Sequence, residues 1–242
     1  EKQSLKNDKD LPKEIFGILL PPKKPLVVKK QLLRTAKKTK YYSERDFEYA
    51  KQAIRFMEKS NWKDAKIVAK KARASSIYNF IEWRHLLTSG NKASFSEYKR
   101  FIERVKDYPR FDRIKYLAEH KINLQNQSPS EVINWFTKNE PLSGYGKMML
   151  GESLIKIGRS EEGIKLVKEG FVNADLNTNS LKYFRKKFKN ILDTSDYIKR
   201  ADYYAWEGKH WDLKRIIRYL PKDYQLLYTA RQILISRGYG VD

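Results

Sequence analysis

A chain of 242 residues, 40% of them hydrophobic, is long enough to bury a core, and no apolar run approaches the ~18 residues that a membrane span requires. It contains no cysteine, which excludes a disulfide framework, a thiolate nucleophile and a cysteine zinc site. Its 51 Lys and Arg against 29 Asp and Glu give a net charge of +22, enough to attract nucleic acid, an anionic membrane surface or a carboxylate-bearing cell wall. Lysine enrichment of this kind also serves simply to solvate the outer faces of helices.

Residues 1–42 read as a basic arm. They hold four of the eight prolines (Pro12, Pro21, Pro22 and Pro25) and twelve Lys/Arg against four Asp/Glu. Leu19 to Pro25 is expected to be extended, because proline blocks helix both at and before itself, whereas Leu26 to Lys38 can form one short basic helix. The arm is either flexible or a strap packed on the first helices through Ile15, Phe16, Ile18 and Leu19, and that apolar cluster favours the strap. Opening on Glu1 rather than Met, the sequence reads as a mature or cloned segment whose leader, if it had one, is gone.

Residues 43–242 read as helix after helix. Ser43 and Asp46 form an N-cap pair for a helix to about Lys59, followed by helices over Asn61 to Arg73 and Ser76 to Thr88, the latter ended by Gly90. Ser94 and Glu97 form a capping box for a fourth helix to about Asp107, and Pro109 starts a fifth to Ile122. Ser128 and Glu131 form another box, with Pro129 at the first helical position, for a helix burying Val132, Ile133, Trp135 and Phe136. After a turn at Asn139-Glu140-Pro141, two helices meet at Gly158. Met148, Leu150, Leu154, Ile155 and Ile157 line the first, and Ile164, Leu166, Val167 and Phe171 line the second. Gly151 and Gly163 let these two backbones approach closely. Ser180 to Leu192, Ser195 to Glu207, His210 to Leu220 and Tyr224 to Arg237 complete the series. No segment shows strand alternation, so the expected fold is all-α, a superhelical stack of antiparallel helix hairpins.

The hairpins repeat at matched offsets. With Ala65, Gly163 and Leu213 aligned, Ser60, Gly158 and Gly208 fall five residues earlier, as small residues of a tight turn. Phe56, Leu154 and Tyr204 fall nine earlier, and Ala53, Gly151 and Ala201 twelve earlier. Trp62 and His210 occupy the first turn of the second helix. The alternation of small and large residues resembles a tetratricopeptide unit, with irregular spacing between copies, as in a degenerate α-solenoid.

Catalytic patterns are missing. There is no glycine-rich phosphate loop, no His-Glu-x-x-His and no Gly-x-Ser-x-Gly. His85, His120 and His210 lie in separate predicted helices without metal-ligand spacing, so neither metal nor cofactor is expected. Glu161-Glu162 opens a helix, where negative charge favours the dipole. Glu119-His120 and Trp206-Glu207 read as interhelix contacts. The run Tyr183-Phe184-Arg185-Lys186-Lys187-Phe188 interleaves aromatic with basic residues, which suits stacking on bases or sugar rings, but at helical spacing such aromatics read as core.

One set of motifs is Val132-Ile133-x-Trp135-Phe136, then Pro141, Gly144 and Gly146, then a leucine helix closing on Ile157-Gly158-Arg159. A second is Arg200-Ala201-Asp202, Trp206-Glu207-Gly208 and Tyr228-x-Ala230-Arg231-x-x-Leu234, ending on Gly240-Val241-Asp242, and Tyr108-Pro109 followed by Ala118-Glu119 also fits. Together they resemble the N-terminal superhelical domain of soluble lytic murein transglycosylases, over most of residues 44–242. The resemblance implies a bacterial periplasmic protein whose parent enzyme cleaves the MurNAc–GlcNAc β-1,4 bond of peptidoglycan to 1,6-anhydromuramoyl products. The catalytic glutamic acid of that family lies in a C-terminal lysozyme-like domain, in a Glu-Ser context followed by a Gly-Leu-Met-Gln run. No such run occurs here, so no residue inherits the role. The expected function is therefore a non-catalytic scaffold. Its expected partners are peptidoglycan glycan strands, held weakly by charge, and the catalytic domain of the same polypeptide. Arg200, Asp202 and Arg231 read as interhelix ties. The alternative is a basic tetratricopeptide-like adaptor for a protein or nucleic-acid partner. A single-strand nucleic-acid binder lacks the regular base-reading residues of an RNA repeat code.

Overall fold

A computed structural model describes residues 41–236 and the backbone of Glu14–Ile15 and Ile18–Leu19. The chain divides into two units, Glu1–Ser43 and Glu44–Asp242. In the first, Glu14–Ile15 (β1) pairs antiparallel with Ile18–Leu19 (β2), with Glu14 opposite Leu19 and Ile15 opposite Ile18. β-branched isoleucine in both strands favours this short pairing. The expected extended Leu19 to Pro25, the basic helix over Leu26 to Lys38 and the strap's side chains lie outside the described residues, as does Gly240-Val241-Asp242.

The second unit is all-α. Among the described residues its helices are α1 (Glu44–Glu58), α2 (Trp62–Ala69), α3 (Ser75–Leu87), α4 (Phe95–Arg104), α5 (Phe111–Glu119) and α6 (Pro129–Lys138). They continue as α7 (Gly144–Lys156), α8 (Ser160–Asn173), α9 (Thr178–Lys187), α10 (Thr194–Trp206), α11 (His210–Ile217) and α12 (Lys222–Ile235). The helix pairs that pack together lie one or two places apart in the chain: the consecutive pairs within α1–α5, within α6–α8 and within α10–α12, and α1 with α3, α3 with α5, α5 with α7, α8 with α10 and α10 with α12. Each helix meets only near neighbours, as in a stack built by adding one hairpin to the next.

Side-chain caps set the starts of α2, α4, α6, α7, α9 and α10. Ser94 and Glu97 cap α4 reciprocally. At α6 only half of the expected box forms: Ser128 Oγ accepts from the Glu131 N–H at 3.1 Å, while the Glu131 carboxylate turns to Lys99 of α4 at 3.6 Å. Helix α10 opens on a reciprocal box of Asp193 and Asp196. Several helices are shorter than expected. Helix α4 stops at Arg104 because Val105 is extended and Asp107 takes φ 62°, and Arg110 at φ 59° delays α5 to Phe111.

Helix α7 is the best-buried element. It packs against α5, α6 and α8, so Met148, Met149, Gly151, Glu152, Ser153 and Leu154 are all buried. Ile157, expected on its apolar face, is 46% exposed, because the chain has already left the helix for the Gly158 turn. The α7–α8 contact is close enough to require glycine. A Cβ on Gly151 would stand 2.6 Å from the Gly163 carbonyl oxygen, and one on Gly163 would stand 2.5 Å from that of Gly151. One repeat further along each helix, Gly144 and Gly170 face each other in the same reciprocal way at 2.4 Å.

Candidate functional site

Helix α9 positions the side chains of greatest chemical interest. Asn177 caps it, its side chain accepting from the Ser180 N–H at 2.9 Å. Leu181, Phe184 and Phe188, spaced by three and four, form one buried stripe. At 3.6 residues per turn, this stripe leaves two polar flanks. Lys182, Arg185, Lys186 and Lys189 point to one side, and Asn179, Ser180, Tyr183 and Lys187 to the other. Each flank lines its own concavity.

The first concavity, of about 480 Å³, lies between α7 and α9. Leu124, Met149 and Phe184 supply apolar lining, and Asn123, Gln125, Asn179 and Ser180 supply polar lining. Glu152 of α7, only 3% exposed, accepts from Lys187 Nζ at 2.5 Å, and Lys156 Nζ lies 3.6 Å from the same oxygen. Lys187 also donates to the Tyr183 hydroxyl at 2.9 Å. Burial pulls the Lys187 ammonium down, but its bonds to Glu152 and Tyr183 prevail and hold it above the usual lysine range. Tyr145 completes the lining, its hydroxyl donating to the Ile122 carbonyl at 3.0 Å and its phenol pushed up to about 12 by burial.

The second concavity, of about 570 Å³, is lined by the basic flank of α9 together with Tyr197 and Tyr219. The Arg185 guanidinium lies 3.3 Å from the Tyr219 ring centroid and donates through Nε to the Tyr197 hydroxyl at 3.2 Å. The one carboxylate in the lining, Asp193, is already bound by Lys168 at 2.6 Å, and that bond, with the Ser195 donor, holds it well below the usual carboxylate range. The groove therefore carries an unneutralised cluster of Lys182, Arg185, Lys186 and Lys189.

The repeat positions share one turn geometry. Ser60, Gly158 and Gly208 have φ of 57°, 93° and 66°. The N–H after each reaches back five residues: Asn61 to the Phe56 carbonyl at 2.9 Å, Arg159 to Leu154 at 3.0 Å and Lys209 to Tyr204 at 2.9 Å. These are Schellman-type closures. Ala53, Ala65, Gly151, Gly163, Ala201 and Leu213 are buried, and Trp62 and His210 each begin a helix. Among the family-like positions, Trp135, Phe136 and Gly144 are buried and Pro141 is half-buried, whereas Trp206 and Ala230 are exposed. The Arg231 guanidinium lies over the Trp206 ring at 5.8 Å.

The buried charges join helices. Asp46 accepts from the Arg73 N–H at 2.9 Å, Glu82 pairs with Arg104, and Asp196 lies 3.3 Å from Lys168 Nζ. Glu119 caps α7, accepting from the N–H groups of Leu142 at 2.6 Å and Ser143 at 2.8 Å and from the Ser143 hydroxyl. Burial raises the Glu119 carboxyl, and those hydrogen bonds oppose the rise. Arg200, 1% exposed, donates to the carbonyls of Phe171 and Ala174 at the end of α8, and burial lowers its pKa. Asp202 pairs with Arg231 of α12 at 2.7 Å. Nothing in the sequence links Glu152 with Lys187, 35 residues apart, or shows that the basic flank of α9 lines a groove.

His85 lies tilted against Trp62, with ring centroids 5.1 Å apart, and His120 stacks on Tyr145 at 5.2 Å. Burial lowers both pKa values, that of His85 to about 4. Among the described residues no group of three or more His, Asp or Glu is arranged to hold a metal ion, and no helix is long and apolar enough to cross a membrane. Comparison of the chain with protein-family models, with curated proteins and with solved structures gives no match.

Proposed function

We propose that this chain is the non-catalytic helical scaffold of a periplasmic peptidoglycan lytic transglycosylase, holding anionic glycan strands for a lysozyme-like domain that cleaves them. The observation that carries the holding role is the groove beside α9, where Lys182, Arg185, Lys186 and Lys189 converge and Asp193 is taken up by Lys168. A linear polymer bearing regularly spaced carboxylates complements such a cluster. Each contact is weak and screened by salt, so binding depends on several acting together. The resemblance of the Trp135-Phe136 and Arg200-Asp202 motifs to the transglycosylase superhelix supports the choice of wall glycan over other polyanions.

The test is sedimentation with purified sacculi together with a peptidoglycan zymogram. The expected outcome is that the protein pellets at low ionic strength, is released by salt and leaves the zymogram uncleared. A clearing zone from this chain would contradict the non-catalytic role. Failure to pellet at any ionic strength, or tighter binding to nucleic acid at physiological salt, would contradict the glycan-holding role.

A further inference from the structure

The cavity between α7 and α9 has a lining that neither helix packing nor the basic groove requires. Tyr183 is 50% exposed and presents a ring to it. Glu152 is nearly sealed from solvent, yet its carboxylate faces the cavity between two ammonium groups. Those two groups are not equivalent. Lys187 is committed to Glu152 at 2.5 Å and to Tyr183 at 2.9 Å. Lys156 lies 3.6 Å from Glu152, too far for a hydrogen bond, and its side chain is 43% exposed. One positive charge is thus left over for a ligand, and Glu152 disfavours a dianion. The amides of Gln125 and Asn179 add planar donor and acceptor pairs. At about 480 Å³ the space falls in the range of small-molecule sites.

An aromatic face for the C–H side of a ring, amides and a carboxylate for hydroxyls, and one ammonium held to Glu152 only by a long ion pair, in a cluster of one net positive charge, describe a single ligand chemistry. We propose that this cavity binds an acidic saccharide, a hexose ring bearing one carboxylate, with the ring on Tyr183 and the carboxylate on Lys156. The assignment rests on the reading of the chain as a glycan-holding scaffold, which selects a sugar among monoanionic small molecules. It goes further by locating a saccharide subsite away from the basic groove and giving it a charge preference.

Titration of the isotope-labelled full chain with N-acetylmuramic acid and N-acetylglucosamine, which differ by the lactyl carboxylate, tests it through amide chemical shifts. Shifts are expected at residues 123–125 and 179–187, with at least tenfold tighter binding of the acidic sugar. Lys156→Gln should bring the acidic sugar down to the affinity of the neutral one and leave the neutral one unchanged. Tyr183→Ala should weaken both at least tenfold, and Lys63→Gln, at an exposed lysine that lines neither concavity, should weaken neither. Both cavity substitutions fall at solvent-accessible side chains, and a dispersed amide spectrum verifies that each variant is folded. Equal affinity for the two sugars, shifts confined to other residues, or preference for a dinucleotide over both would overturn the proposal. Sedimentation with sacculi without any saccharide-induced shift rejects the cavity assignment alone; loss of both rejects the scaffold reading with it.

Discussion

His85 shows how one buried side chain ties stability to pH. Burial lowers its pKa from 6.5 to about 4, with Lys66 and Lys121 acting in the same direction and Glu97 against them. Between those two values the unfolded chain takes up a proton that the folded chain refuses. Stability is therefore complete above about pH 6.5 and falls as the pH drops toward 4, by on the order of 3 kcal/mol for this group. His120 shifts in the same direction through burial. Urea midpoints at pH 7 and pH 4.5 should show a smaller fall for His85→Gln than for the unsubstituted chain. An equal fall would mean that the imidazole is already charged in the folded state. Arg200 makes a related point with a group that cannot shed its charge: it is sealed among Phe171, Tyr204 and the last carbonyls of α8, and so fixes α10 against α8.

At the scale of the element, the α7–α8 hairpin depends on two glycine pairs, Gly151 with Gly163 and Gly144 with Gly170. Gly163→Ala sets a methyl against the Gly151 carbonyl and should destabilise the chain by on the order of 3 kcal/mol in urea unfolding. Gly90→Ala is the control: it meets nothing within 4 Å but must hold φ 71°, so it should cost only about 1 kcal/mol. Equal costs would contradict the close approach. The first glycine pair is legible in the sequence because the Gly158 turn lies between its members. The second follows only once the antiparallel register is fixed, since nothing local connects residues 26 apart. The Asp193–Asp196 box is also written in the sequence, as an Asp-x-x-Asp variant of the Ser-x-x-Glu pattern, and it starts α10 at Thr194 rather than at the expected Ser195. Burial of Met149, Glu152 and Ser153 was not legible, because one-sided periodicity assumes a helix with a single covered face and α7 meets three neighbours.

At the scale of the whole molecule, sequence patterning was informative where contacts are local and silent where they are not. The all-α class and the three matched turns at Ser60, Gly158 and Gly208 follow from spacing and small residues within a hairpin. Neither concavity follows, because each needs α9 beside residues outside its own hairpin: α7 for the cavity, and Tyr219 beyond α11, together with α10, for the groove. The net charge of +22 is enough to attract a polyanion without saying where one would dock, and the amphipathic stripe of α9 turns that diffuse excess into a directed one. The proposed glycan-holding role rests on this directed cluster rather than on overall basicity. The most direct measurement is sedimentation with purified sacculi across a salt series, comparing the unsubstituted chain with a Lys182→Gln, Lys186→Gln, Lys189→Gln triple variant of unchanged circular dichroism. The expected result is at least a tenfold loss of bound protein at low salt for the variant, together with a shallower salt dependence. Equal pelleting of the two at every ionic strength would contradict the account.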